Sequence, residues 1–150
     1  MLRVVLDTNQ IVSAILNPEG PAFEILKASG LVGEQKYELV ISDDILAEFR
    51  RVLSYPRIQK LHKWSKEKIE IFITLLKEIA CIEESHGRLK IVLEDPDDDK
   101  FFHTALNSGL NSGAKYIVSR DVHLLSIKEF GGIRVLNPEV FLTALRKNSL

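Results

Sequence analysis

Four carboxylates from four separate segments of this 150-residue chain carry the chemistry worth testing: Asp7, Glu48, Asp98 and Asp121. Asp7 directly follows the apolar run LRVVL (2–6), and Asp121 follows KYIVS (115–119) by two residues. Ligands of open parallel sheets bind outside the carboxyl ends of the strands. If both runs are central parallel strands, these two acids share one edge. Glu48 lies three residues after Ile45 and four before Val52, so on a helix whose inward stripe is Ile45, Phe49 and Val52 it faces the same way. A carboxylate on an apolar face is costly unless it is paired or bound to a cation. Asp98 precedes Phe101, Phe102 and Ala105 by three, four and seven residues, which sets it at the start of a helix, on or beside the buried face.

Each acid also has an ordinary explanation. Glu48 suits a half-exposed margin or a pair with a buried Arg, and Asp98 suits a helix N-cap. Asp95, Asp97 and Asp99 crowd the loop that holds Asp98, and they cannot all be ligands. The joint placement of four acids in one cleft is the stronger argument. Close carboxylates repel and raise one another's pKa, and a cation removes the conflict. An all-oxygen donor set favours Mg2+ or Mn2+. The four histidines show no metal-binding spacing and Cys81 is the single cysteine, which excludes an intramolecular disulfide and argues against structural zinc.

The elements that must position these acids alternate along the chain. LRVVL reads as a buried strand, and Pro21 to Ser29 as a helix closed by Gly30 and Gly33. YELVI (37–41) reads as a second strand. Ser42 is the expected N-cap of a helix to Leu53, with Asp43 and Asp44 at its positive end, and Tyr55-Pro56 breaks it. Ser65 caps a helix whose apolar positions Ile69, Phe72, Ile73, Leu76 and Ile79 keep helical spacing. CIEES (81–85) is a further strand, followed by an acidic loop and a helix from Asp98 to Asn107 that ends near Gly109 and Gly113. KYIVS is a strand, Val122 to Phe130 a helix, Ile133 to Leu136 a short strand, and Pro138 opens a closing helix to Lys147. Strands separated by helices imply right-handed crossovers and a mostly parallel sheet covered on both faces.

Composition sets bounds. The length suits one domain spanning 1–150, and 45% apolar with 27% charged residues suits a soluble globular protein. The opening apolar run is too short for a signal-peptide core or a membrane span, so the expectation is cytoplasmic with no membrane partner. Net charge is −1, but its distribution is uneven. Arg50, Arg51, Arg57, Lys60, Lys63, Lys66 and Lys68 stand against Glu67 alone, whereas residues 94–99 are acidic apart from Pro96. A basic stretch beside an acidic knot suits a protein that binds polyanions and holds cations, although both also suit solvated surface.

Taken in order, V-L-D-T-N (5–9), S-D-D-I-L-A-E-F (42–49), D-P-D-D-D-K-F (95–101) with A-L-N-S-G (105–109), and Y-I-V-S-R-D (116–121) with L-L (124–125) resemble the four motifs of a PIN domain. The nearest likeness is to the PIN-family toxins of prokaryotic toxin–antitoxin pairs. The resemblance implies a three-layer α/β/α sandwich with a mostly parallel central sheet. It also implies a metal-dependent endoribonuclease, often dimeric and often blocked by an antitoxin protein. Carried over, the catalytic and metal-binding acids are Asp7, Glu48, Asp98 and Asp121, with Asn9, Ser119 and Asp95 as supports. Asp98 is preferred to Asp97 and Asp99 because it stands three before Phe101 and seven before Ala105, the family's usual offsets. The fourth motif usually has a small residue where this chain has Arg120, a cation that can sit near a scissile phosphate.

On this reading Asp7 and Asp98 bind Mg2+ or Mn2+ directly, and Glu48 and Asp121 either bind it or orient its water. Arg57, Lys60 and Lys63 hold the RNA backbone by charge. Trp64 and Tyr55 flank them and either pack or stack on bases. A haloacid-dehalogenase-type phosphatase needs a second Asp where Asn9 stands. A receiver domain needs its phosphoacceptor Asp at a central strand, not after the first. A structure-specific DNA nuclease usually has a longer chain with helical arches. The alternative from another class is a non-catalytic PIN module that binds RNA or a protein.

Overall fold

The structure, a computed structural model, describes residues 1–85, 87, 90–107 and 113–150. The chain runs through β1 (Arg3–Leu6), α1 (Thr8–Leu16), α2 (Pro21–Leu26), β2 (Glu38–Ser42), α3 (Asp43–Leu53), α4 (Pro56–His62), α5 (Lys66–Ile79) and β3 (Cys81–Glu83). It continues through α6 (Asp99–Asn107), β4 (Tyr116–Val118), α7 (Val122–Ile127), β5 (Glu129–Phe130), β6 (Ile133–Leu136) and α8 (Pro138–Arg146). Among the described residues the strands form one sheet in the order β3-β2-β1-β4-β6-β5, parallel except for the β5–β6 pair.

Val4, Val5 and Leu6 are buried because β1 is covered on both faces. The chain leaves β1 toward β2 and β3, then returns to its other side at β4. With right-handed crossovers this reversal places the intervening helices on opposite faces, giving the three layers. On one face α1 contacts α2 and α3, and α2 contacts α8; on the other, α6 lies across β1, β2, β4 and β6. Tyr37, Phe49, Phe101, Phe102 and Phe141 are fully buried in the resulting core. The Tyr37 hydroxyl donates to the Ile25 carbonyl at 2.7 Å, so the ring is buried without leaving its polar end unmet.

Ser42 caps α3, accepting from the Ile45 amide at 3.3 Å, and Ser65 caps α5, accepting from the Lys68 amide at 3.1 Å. Several boundaries differ from the sequence expectation. The helix from Pro21 is α-helical only to Leu26, then widens into a π-type turn over Lys27–Leu31 that contains Gly30 at φ 99°. The helix expected from Val122 to Phe130 stops at Ile127, because Lys128 takes φ 65° and Glu129–Phe130 turn back to pair with β6 through Gly131 and Gly132. The helix expected from Asp98 begins at Asp99, after a 3-10 turn over Pro96–Asp98. Its expected end near Gly109 lies outside the described residues. Two helices were not read from the sequence. α4 buries none of its residues, so it has no apolar stripe to betray it. α1 starts directly on Asp7, which serves as its cap.

Candidate active site

β1 and β4 are the strands between which the chain reverses direction, and their carboxyl ends open the crevice where such sheets bind ligands. Asp7 leaves β1 there, and its amide extends the sheet by donating to the Val118 carbonyl at 3.0 Å. Its side chain is buried, with the residue only 6% exposed. Oδ1 accepts from the Asn9 amide at 3.2 Å and Oδ2 from the Ser119 hydroxyl at 2.6 Å. Burial pushes the Asp7 carboxyl above the ordinary carboxylate range. The two hydrogen bonds oppose that shift, and the charges of Glu48 and Asp121 add to it.

Ser119 joins two acids. While donating to Asp7, its Oγ accepts from the Asp121 amide at 2.9 Å. Asp121 is half-buried and caps α7, its Oδ1 accepting from the His123 and Leu124 amides at 2.8 and 3.2 Å. Asn9 is exposed and meets Asp7 through its backbone amide.

Asp98 ends the 3-10 turn, with its own amide bonded to the Asp95 carbonyl at 3.0 Å. Its Oδ2 is buried and has no hydrogen-bond partner among the described residues. Burial first, then the charges of Asp95, Asp7 and Asp121, push its carboxyl up to about 7, against a smaller opposing pull from Lys100. The acids on either side go elsewhere. Asp99 is buried and its Oδ1 accepts from the Ile91 and Val92 amides at 3.2 and 2.8 Å, clamping that strand of backbone onto α6. Asp97 points outward and pairs with Lys100 at 2.9 Å.

Glu48 is half-buried at the margin of α3, whose buried stripe is Ile45, Leu46, Phe49 and Leu53; Val52, expected inside, is only half-buried. Its Oε2 accepts from the Lys100 ammonium at 2.8 Å and lies 3.6 Å from Arg51. Lys100 is the partner that the sequence reading missed. The signal was present in D-D-D-K, where Asp97 and Lys100 stand at i, i+3. Burial would lower the Lys100 pKa, but hydrogen bonds from its ammonium to Glu48 and Asp97 outweigh it and raise the pKa. Thr104 Oγ1 lies 3.1 Å from Ser42 Oγ and 2.7 Å from the Lys100 carbonyl, which ties α6 to the start of α3.

An open cleft of about 890 Å³ has Glu48, Asp97 and Lys100 on its wall and Arg51 and Lys90 as its other cations; Asp7, Asp98 and Asp121 do not line it. Arg57 and Lys60 lie on α4 and Lys63 at its left-handed cap, all exposed, and they do not line that cleft. Arg120 is exposed and paired with Glu139. Trp64 packs against Phe72, with the Lys68 ammonium 4.7 Å from its ring centre, while Tyr55 is exposed.

The donor set fits a hard divalent cation. Asp98 Oδ2 is a buried carboxyl oxygen without a partner among the described residues, and the charges of Asp7 and Asp121 act on it. Among the described residues no group of three or more His, Cys, Asp or Glu stands together as a finished ligand shell.

A parallel α/β sandwich with carboxylates at its reversal crevice defines a class of acid-site α/β proteins. The chain belongs to the PIN domain family, whose model matches residues 3–123. It is 28% identical over 128 residues to an uncharacterized protein of Methanocaldococcus jannaschii, covering 85% of this chain and 76% of that one. Its fold is similar to a chain in the crystal structure of VapBC2 from Rickettsia felis bound to a DNA fragment from their promoter. The TM-score is 0.57 at 18% identity, over 91% of this chain and 98% of that one. Among the described residues no helix is long and apolar enough to cross a membrane.

Proposed function

We propose that this protein is a metal-dependent endoribonuclease, acting in the cytoplasm as the toxin of a toxin–antitoxin pair. PIN domains are generally nucleases that use divalent ions. The observation that carries the reading for this chain is the unpartnered Asp98 Oδ2, buried beside Asp7 and Asp121. Asp7, Asp98 and Asp121 would hold Mg2+ or Mn2+, with Glu48 at the edge. When bound, the ion supplies Lewis acidity toward water and a phosphoryl oxygen near neutral pH.

The residues themselves do the rest. Ser119 holds Asp7 and the Asp121 backbone in one orientation. Glu48, on the cleft wall, would orient water toward the site. Arg51 and Lys90 attract the phosphate backbone into the cleft, and Arg57, Lys60 and Lys63 extend that attraction along α4. The exposed Arg120, between Ser119 and Asp121, contacts the phosphate once it leaves Glu139. An antitoxin partner and a homodimer are proposed on the sequence resemblance to PIN-family toxins, with the likeness to a VapBC2 chain in support.

The test is incubation with single-stranded and structured RNAs and single-stranded DNA, in Mg2+, Mn2+ or EDTA, beside Asp98→Asn. Metal-dependent RNA cleavage absent from the variant is expected. Absence of cleavage and of any metal response would instead favour a non-catalytic module that binds RNA or a protein.

A further inference from the structure

The acids of the site fall into two groups. Asp7, Asp98 and Asp121 have only hydroxyl and amide donors or none, and among the described residues no Lys or Arg forms an ion pair with them. Glu48 and Asp97 instead share Lys100. The three ammonium protons meet three oxygens: Glu48 Oε2 at 2.8 Å, Asp97 Oδ2 at 2.9 Å and the Asp97 carbonyl at 3.1 Å. Lysine ammonium ordinarily stays in water. Here the side chain is only 11% exposed, and Nζ lies 5.0 Å from the centre of the Phe101 ring. This lysine joins α3 to the acidic turn across 52 residues of sequence, on the wall of the cleft.

Two-metal phosphodiester sites place their ions about 3.5–4 Å apart on shared carboxylates. An ammonium bonded at 2.8 Å to Glu48 already supplies the positive charge that a second ion would bring to that carboxylate. We propose that Lys100 is a built-in cation standing where a second divalent ion would sit, so that the site binds a single ion between Asp7, Asp98 and Asp121. The inference rests on the metal-dependent reading above and goes beyond it by setting the number of ions. It also gives Lys100 two tasks: it positions Glu48, and it presents positive charge to the phosphate in the cleft.

The test is calorimetric titration of the whole protein with Mn2+ alone, with no RNA present. The expected result is one ion per wild-type chain. Lys100→Met keeps the stem over Phe101 but frees Glu48 and Asp97, so it is expected to bind two. Adding Glu48→Gln to that variant is expected to restore one. Two ions in the wild type, or a single ion in Lys100→Met at any affinity, overturns the inference. If Lys100→Met does not fold, the wild-type stoichiometry alone decides. Failure to bind Mn2+ at all overturns the metal site itself. One bound ion without RNA cleavage defeats only the nuclease reading. In cleavage assays Lys100→Met is expected to need roughly tenfold more Mn2+, with a steeper metal dependence and a restored kcat at saturation. A structural lysine would leave kcat low at every Mn2+ concentration.

Discussion

Replacing Asp98 by Asn converts the electrostatics of the site into a stability measurement. In the metal-free fold the Asp98 carboxyl is raised from 3.8 to about 7, burial being the first cause and neighbouring acids the second. The unfolded chain ionises this group near 3.8 and the folded chain only near 7. Below the lower value both states hold the proton and the group is neutral to stability. As pH rises between the two values the unfolded state is increasingly favoured, and above about 8 the loss is complete. The gap between those two values corresponds to roughly 4 kcal/mol. Asp98 is only half-buried, so solvent screening reduces the expectation to about 1–2 kcal/mol. Asn is close in shape to the protonated acid and does not titrate. In EDTA, urea denaturation should therefore find Asp98→Asn nearly as stable as wild type at pH 4 and about 1–2 kcal/mol more stable at pH 8. Saturating Mn2+ should reverse the order at pH 8, because only the wild type gains binding energy. A wild-type-to-variant difference that stays flat from pH 4 to pH 8 would refute the buried-charge argument.

Further substitutions separate positioning from support. Ser119→Ala removes the donor to Asp7 and the acceptor of the Asp121 amide, so Mn2+ affinity should fall about 10–100-fold; unchanged affinity in a calorimetric titration would count against Ser119 as the joint between the two acids. Asp99→Ala strands the Ile91 and Val92 amides and should cost about 1–3 kcal/mol in urea denaturation, whereas Asp97→Ala, at a side chain 72% exposed, should cost at most about 1 kcal/mol. Neutralising Arg57, Lys60 and Lys63 together should lower the salt dependence of binding to single-stranded RNA by about two charges; an unaltered slope would move the RNA path to Arg51 and Lys90.

The parts of the fold legible in the sequence are those where burial imposes a period or a cap imposes a residue type. LRVVL and KYIVS are β-branched, covered on both faces, and become β1 and β4. Ser42 and Ser65 announce α3 and α5 because a hydroxyl must meet the first amides. α4 was illegible because it buries nothing, and the end of α7 because the left-handed turn at Lys128 uses a residue with no special preference for it. The sheet order was beyond reach. Element sequence alone does not say that β4 lies beside β1, and that adjacency brings Asp7 and Asp121 to one crevice.

Asp97, Asp98 and Asp99 show where residue type stops informing and backbone begins. Three identical side chains in a row meet three different fates. A 3-10 or α-helical turn rotates each residue by about 100–120°, so when Asp97 faces Lys100 and solvent, Asp98 is turned toward Asp7 and Asp121, and Asp99 toward the Ile91 and Val92 amides. Asp99 spends its charge on amides, and Asp97 on an ammonium. Asp98 Oδ2 is left buried without a donor among the described residues, a position that costs stability. The offset from Phe101 chose the same residue, for a related reason. Phe101 is fully buried on α6, and a side chain one turn before it lies on the face that α6 presents to β1 and β4. The sequence contained the direction of Asp98 in its spacing from a core aromatic. Asp97's partner Lys100 was within reach at i, i+3, but the amides that Asp99 meets, at residues 91–92, and Glu48, which shares Lys100 across 52 residues, were not. Moving the acidic run by one residue relative to Phe101 should therefore abolish metal binding even with every acid retained, as insertion of Ala between Asp98 and Asp99 would show by loss of the Mn2+ isotherm.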